Sequence, residues 1–408
     1  MESLDGRPDY NINLFLLFHS PFSFQIEDNF VKIYIHHCSG RTKHAAIPCT
    51  MEDHEMEDRP SADGAKATEK PKPRKHMLTG VSGRLGSAIL QAILDYDLLP
   101  PTDLLISTSS DPNDSKWNTV KAKGIEVRQA RHEDIPGMVK AFQGVWKILL
   151  ISSPHVELDL PGQEETGGRE KLHLNAIQAC QAAGVKHIYY TSLGLTPVKP
   201  FGAMAEPYRA HDRTEHTLRV LVDMQWTIIR EAPYAQMWPL YFGFHEGTYD
   251  KRQEVLVTDD GPVSWTAVED LALGTALILT DHCESWCGLT VTLSSQDEVP
   301  LSRIAELVSK AKKSPVKLKI VSEEDYIRYY KDQRGMGETL LKWWATTYPA
   351  LKRGEGCHRY EPTLLELLKK TGRETKTVEE IIRYMMTQRD SGYVSGPVGP
   401  KGEGITTQ

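Results

Sequence analysis

Thr79-Gly80-Val81-Ser82-Gly83-Arg84-Leu85-Gly86 sets three glycines at three-residue spacing at the opening of an apolar helix pattern. Each glycine has its own task in a dinucleotide fold. Gly80 permits a tight strand-to-helix turn, Gly83 lets backbone approach a pyrophosphate, and Gly86 lets the helix pack closely on the strand. The helix N-terminus adds unbonded N–H groups and the positive end of the dipole. Glycines at this spacing are common by themselves. The context gives them meaning: Met77-Leu78 precede them, and Ile89, Leu90, Ile93 and Leu94 follow at helical spacing.

Outward from this turn, apolar strand patterns alternate with helical ones. Strands are expected at Leu104 to Ile106, Ile125 to Val127, Val145 to Ile151, Ile188 to Ser192 and Trp226 to Arg230. Helices are expected at Ile135 to Phe142, Arg169 to Ala183 (ending at Gly184) and His211 to Val222. Continuous apolar strands separated by helices imply a parallel sheet covered on both faces, a doubly wound α/β (Rossmann) fold. After Pro233 the rhythm breaks into aromatic, Gly-rich loops, a strand-like Glu254 to Val257 and helices at Val268 to Leu279, Leu301 to Lys310, Glu323 to Lys331, Gly337 to Thr346 and Val378 to Met386. These form a smaller C-terminal α+β lobe suited to cover a substrate. The expected division is a dinucleotide domain at 76–235 and a lobe at 236–387, with 263–280 returning to the sheet.

The flanks differ in character. Residues 1–75 lack clear periodicity and then become charge-dense and Pro-containing, a disordered or spurious leader with an alternative start at Met51. Residues 388–408 read as a flexible tail. With 408 residues, 40% hydrophobic and 25% charged, the chain has ample core. A net charge of −7 argues against a nucleic-acid or anionic-membrane surface. The apolar run Asn13 to Phe18 is too short to span a bilayer and sits among acidic residues unlike a signal peptide. Six scattered cysteines suit a reducing compartment. The expected location is cytoplasmic. Cys283, Cys287 and His282 lack zinc-knuckle spacing, so no metal is expected.

Further segments make the chain resemble the NmrA-like branch of atypical short-chain dehydrogenases, which holds NADPH-dependent quinone reductases and some cofactor sensors. They are Thr79 to Gly86, Leu-Leu-Ile-Ser-Ser (149–153), Ala-Gly-Val-Lys-His-Ile-Tyr-Tyr-Thr-Ser-Leu (183–193), His211 with Thr214-Glu215, Ile-Ile-Arg-Glu-Ala-Pro-Tyr (228–234) and Val263 to Ala272. The resemblance implies that Gly80, Ser82, Gly83, Arg84, Leu85 and Gly86 line a pyrophosphate. It also implies that Ser152 and Ser153 pass the adenine-ribose side, Thr191 and Ser192 the nicotinamide ribose, and Pro233 and Tyr234 the nicotinamide. These positions lie at C-terminal strand ends, where open α/β sheets bind ligands.

An NAD site usually carries a carboxylate after the second strand. Here Ile106 is followed by Ser107, Thr108, Ser109 and Ser110, with the first carboxylate at Asp111. Neutral hydroxyls accept a 2′-phosphate without repulsion and Arg84 can pair with it, so NADP (NADPH) is the expected cofactor. The arginine that such relatives commonly place just after this strand is absent. The Tyr-x-x-x-Lys acid pair of many short-chain dehydrogenases is also absent. His211 falls near the lysine position, Tyr208 precedes it by three residues, and Tyr234 is a rival donor. The expected activity is hydride transfer from NADPH to a quinone, enone or carbonyl compound. The competing reading is a non-catalytic NAD(P)-binding redox sensor acting through a protein partner. The expected partner is a small-molecule substrate, with homodimerisation allowed.

Overall fold

Seven strands pair in one direction to form the central sheet of the computed structural model, which describes residues 22–27, 30–35, 74–197, 205–282 and 285–387. Two strands, β1 (Phe22–Glu27) and β2 (Phe30–Ile35), form an antiparallel pair in a separate N-terminal unit. The remaining expectations for residues 1–73 and for the tail after 387 lie outside the described residues, as does Cys283.

The main unit begins with β3 (Lys75–Leu78) and α1 (Arg84–Asp95), then β4 (Leu104–Thr108), α2 (Asn118–Ala122), β5 (Glu126–Gln129) and α3 (Ile135–Phe142). The second half contributes β6 (Val145–Ile151), α4 (Gly168–Ala183), β7 (His187–Leu193), α5 (Glu206–Arg219) and β8 (Gln225–Glu231). Next come α6 (Trp238–Tyr241), β9 (Glu254–Val257), α7 (Val268–Thr280) and β10 (Thr290–Leu293). The chain closes with α8 (Leu301–Lys312), β11 (Lys317–Ile320), α9 (Glu323–Arg334), α10 (Glu338–Ala345), α11 (Thr347–Lys352), α12 (Thr363–Lys369) and α13 (Val378–Thr387).

The sheet order is β5-β4-β3-β6-β7-β8-β10, every pairing parallel. The order reverses between β3 and β6, so the crevice at their C-terminal ends is the ligand position of a doubly wound sheet. Leu78, Leu149, Tyr189 and Ile229 face a core shared with α1, α7 and α12. Met77, Ile148, Tyr190 and Ile228 face a second core with α3 and α4. Alternation along buried strands thus fills both layers, as a two-faced parallel sheet requires.

A third core is aromatic and belongs to the lobe, where Trp238, Phe242, Trp265, Tyr326, Tyr330, Trp344 and Tyr348 pack together. A short parallel pair, β9 with β11, lies in this lobe. Trp343, Trp344 and Tyr348 are buried here and form core. No helix among the described residues is long and apolar enough to cross a membrane.

Three differences from the expected elements have physical causes. β10 and β11 are four-residue strands (Thr-Val-Thr-Leu and Lys-Leu-Lys-Ile) whose alternating polarity suits an edge and leaves no apolar run. The helix expected from His211 begins at Glu206, with Pro207 in its first turn where the missing N–H costs nothing. α11 and α12 are too short to show a clear period.

Gly86 is the tightest point of the turn after β3. A Cβ there would lie 2.3 Å from the Gly80 carbonyl oxygen and 2.9 Å from Val81 Cα. The close contact is therefore with the turn's own backbone rather than with the strand. Gly86→Ala should cost about 2–3 kcal/mol, the usual scale of overpacking, read as a lower urea midpoint. An unchanged midpoint would show that the turn can open without cost.

Candidate functional site

The turn after β3 is held by backbone before any side chain contributes. Thr79 N–H donates to the Leu149 carbonyl at 3.0 Å, and Thr79 Oγ1 accepts from Ile151 N–H at 2.9 Å. Both bonds span the β3–β6 gap. Gly80 then takes φ +62°, a region that favours glycine, and Gly83 N–H closes on the Gly80 carbonyl at 2.9 Å. Gly83 caps α1 in an extended conformation (φ −86°, ψ 167°), with no side-chain cap and no acid in the first turn. The amides of Leu85 and Gly86 thus have no partner within the helix, while Gly80, Ser82 and Gly83 are exposed. A phosphate-sized anion fits such a surface. Leu85 contributes only its amide, because its side chain is core.

Arg84 and the segment after β8 meet across the same edge: Arg84 Nη1 donates to Met237 Sδ at 3.2 Å. Tyr234, half-buried, bridges to Thr266, and the Pro233 carbonyl accepts from Thr266 N–H at 3.0 Å. Ser152 N–H donates to Thr191 Oγ1 at 3.1 Å, and Ser153 N–H to His173 Nε2 at 2.9 Å. Ser107 and Thr108 are both buried at the end of β4, so the polar surface there belongs to Ser109 and Ser110.

Two of the three expected proton donors are drawn into buried networks. His211 is 5% exposed, and the Tyr190 hydroxyl lies 3.0 Å from its Nδ1. Beside it, the Ser153 amide puts the His173 proton on Nδ1, which meets Thr214 Oγ1 at 2.9 Å. Thr214 donates onward to the Ala210 carbonyl at 2.7 Å. Burial first, and then the Arg169 guanidinium, holds both imidazoles well below the usual histidine range. His211 is therefore a neutral hydrogen-bonding group within the α4–α5 layer. This corrects its expected place beside the reacting atoms.

Tyr208 is 1% exposed, and its hydroxyl accepts from Arg230 Nη2 at 3.2 Å. That arginine also grips Glu215 through Nε (2.9 Å) and Nη2 (2.6 Å), while Arg219 adds a third contact at 2.6 Å. Ser192 donates to Glu215 Oε1 at 2.6 Å. Burial pushes the Glu215 carboxyl up, but Arg230 and the Ser192 hydroxyl outweigh it and hold the pKa below the usual range. Burial raises the phenols of Tyr208 and Tyr234. Of the three expected donors, Tyr234 alone is only half-buried, and the Arg84 charge acts on its phenol against the effect of burial.

Residue patterns alone missed Met237, Glu215, Arg230 and Glu231 as partners of the expected site residues or of their strands. Arg230 and Glu231 carried a signal: charges inside an apolar strand need partners. Glu231 sits buried at the end of β8, where its Oε1 accepts from Thr275 Oγ1 at 2.7 Å. Burial raises its carboxyl to about 8. The folded chain thus keeps this proton to about pH 8, whereas the unfolded chain releases it near the ordinary glutamate value. The stabilising contribution is complete at acid pH and is lost as pH rises toward 8. Each unit of difference is worth about 1.4 kcal/mol. Wild-type melting temperature should therefore fall relative to Glu231→Gln between about pH 5 and 8. Parallel pH profiles would refute the buried neutral carboxyl.

No protein-family profile matches the chain. It is 25% identical over 258 residues to the NmrA-like family domain-containing oxidoreductase flvB of Aspergillus flavus, covering 62% of the chain and 76% of that relative. It is 26% identical over 310 residues to quinone oxidoreductase 2 of Escherichia coli, covering 76% of the chain and 97% of that relative. The crystal structure of the E. coli NADPH-dependent quinone oxidoreductase QOR2, complexed with NADPH, matches with a TM-score of 0.61 at 25% identity, over 76% of this chain and 99% of that one. Citrobacter sp. triphenylmethane reductase complexed with NADP(H) shares the fold, with a TM-score of 0.60 at 24% identity over 76% and 99%. By fold and sequence the chain is thus similar to an NmrA-like oxidoreductase and to NADPH-dependent quinone oxidoreductases.

Proposed function

We propose that this chain is an NADPH-dependent reductase that delivers hydride to a quinone, enone or carbonyl compound held between the sheet's C-terminal edge and the lobe. The observation that carries this reading is the uncapped, exposed glycine turn at the β3–β6 switch point. The relatives support it: one is a quinone oxidoreductase, and the matching structure of that type was crystallised with NADPH. NADPH, when bound, supplies the hydride. Gly80, Ser82 and Gly83, with the amides of Arg84, Leu85 and Gly86, would hold the pyrophosphate. Thr191 and Pro233 shape the far end of the crevice, and Tyr234 offers a hydroxyl to the acceptor. The protein's share is orientation and exclusion of water.

The donor proposed for this edge favours particular acceptors. The Tyr234 phenol, raised by burial, is a poor acid at neutral pH. It can stabilise a developing oxyanion by hydrogen bonding. Quinone reduction yields a phenolate that needs little acid help, whereas a simple ketone yields a strongly basic alkoxide. The same weak donor, with the absent Tyr-x-x-x-Lys, also favours the second reading, a cofactor sensor without turnover. NADPH consumption with a panel of quinones separates them, since turnover eliminates the sensor.

Gly83→Ala isolates the cofactor site from the fold. Its backbone angles suit any residue, and its Cβ would meet only the Gly80 carbonyl, at 3.2 Å. The variant should melt as wild type yet bind NADPH at least about tenfold more weakly, because the methyl stands where phosphate oxygens approach. NADPH should raise the wild-type melting temperature by mass action. Equal affinities in the two proteins would overturn the assignment.

A further inference from the structure

A 2′-phosphate needs a cation at the end of the second strand of the sheet, and no lysine or arginine stands between Leu104 and Ser115. The first carboxylate, Asp111, is turned into its own loop, where Oδ1 accepts from Asn113 N–H at 2.8 Å. Nothing acidic therefore claims the ribose hydroxyl here, and nothing on this loop neutralises a phosphate.

The neighbouring strand supplies the charge. β5 pairs with β4 as far as Gln129 opposite Thr108, and Ala130 N–H donates to the Thr108 carbonyl at 2.8 Å. Arg131 follows directly and turns back over the β4 loop, where its Nε donates to the Ser109 carbonyl at 3.0 Å. Gln129 Nε2 makes weaker contacts with the Ser109 and Ser110 carbonyls at 3.4 and 3.3 Å. Thr108 Oγ1 fixes the loop from within, accepting from Ser110 N–H at 3.2 Å and lying 2.9 Å from Ser110 Oγ. The exposed guanidinium is thus tethered by one nitrogen. No hydrogen bond or ion pair among the described residues occupies its two terminal nitrogens. A planar fork held this way binds phosphate through two parallel N–H bonds. The loop it grips carries the hydroxyls of exposed Ser109 and of Ser110, the latter 2.9 Å from Thr108 Oγ1.

We infer that Arg131, with the Ser109–Ser110 loop it grips, forms the 2′-phosphate subsite and makes this chain select NADPH over NADH. The inference rests on the dinucleotide reading above and adds the residue that discriminates. The cation arrives from the third strand of the sheet instead of the second.

Titration of purified wild type, Arg131→Gln and Arg131→Lys with NADPH and with NADH, followed by the nicotinamide fluorescence, tests it without turnover. Wild type should bind NADPH at least about tenfold more tightly than NADH. Arg131→Gln should weaken NADPH by roughly 10- to 100-fold, the range for loss of a charge-assisted bidentate contact. NADH affinity should stay within about twofold, because its ribose carries no charge for the guanidinium. Arg131→Lys should fall between, keeping the charge and losing the fork. Unchanged NADPH affinity in Arg131→Gln would overturn the inference, as would equal weakening of both dinucleotides, which would make Arg131 only a loop organiser. Wild type that prefers NADH would overturn it while leaving the dinucleotide reading intact. Wild type that binds neither would remove both.

Discussion

The turn from β3 into α1 exists because position 86 carries no side chain. The Gly80 carbonyl occupies the space where a Cβ would stand, 2.3 Å away. That contact draws the turn over the start of the helix and leaves Gly83 extended as a bare cap. Because Thr79 bonds both Leu149 and Ile151, the same turn is bolted to the strand across the switch point. Helix dipole, unbonded amides and crevice are thereby aligned by main-chain geometry alone. The rest of the site is arranged around a phosphate seat that no side chain needs to build.

A second constraint comes from charges in the sheet. Arg230 and Glu231 are neighbours on β8, so their side chains leave opposite faces. Arg230 enters the α5 layer and finds Glu215, Arg219 and Tyr208 nearby. Glu231 enters the α7 layer, finds only a threonine hydroxyl, and stays protonated near neutrality. One charge is paired and the other is neutralised, the two outcomes open to ionisable groups in a low-dielectric layer. Both devices stiffen the ends of β7 and β8, where the nicotinamide end of a dinucleotide would lie.

Much of this was legible in residue patterns. Long apolar strands such as Val145–Ile151, and the glycine turn with its flanks, announced the doubly wound sheet. Ser152 directly follows β6, Thr191 lies two residues before the end of β7, and Pro233 stands two residues after β8. What patterns could not reveal was direction and depth. His211 lies near the position of a catalytic lysine in sequence, yet burial beside Tyr190 and His173 makes it a neutral member of a closed network. Arg131 lies beyond the strand that usually carries the specificity residue, and only sheet pairing brings it over Ser109. β10 and β11 were invisible because an edge strand of four alternating residues carries too few apolar positions to register.

The direction of the polar groups bears on the chemistry. Ser192 gives its proton to Glu215 at 2.6 Å, so toward the crevice it can act only as an acceptor. A serine in that state holds a ribose hydroxyl well and polarises a carbonyl poorly. With Tyr208 bound to Arg230 and His211 to Tyr190, little strong acid remains near the hydride's destination. Electron-poor acceptors tolerate this, because the negative charge formed on reduction is already delocalised over a ring or conjugated system. Isolated carbonyls do not, since their barrier depends on proton transfer in the transition state. Under the proposed function, the same buried networks would favour quinones and activated enones over simple ketones.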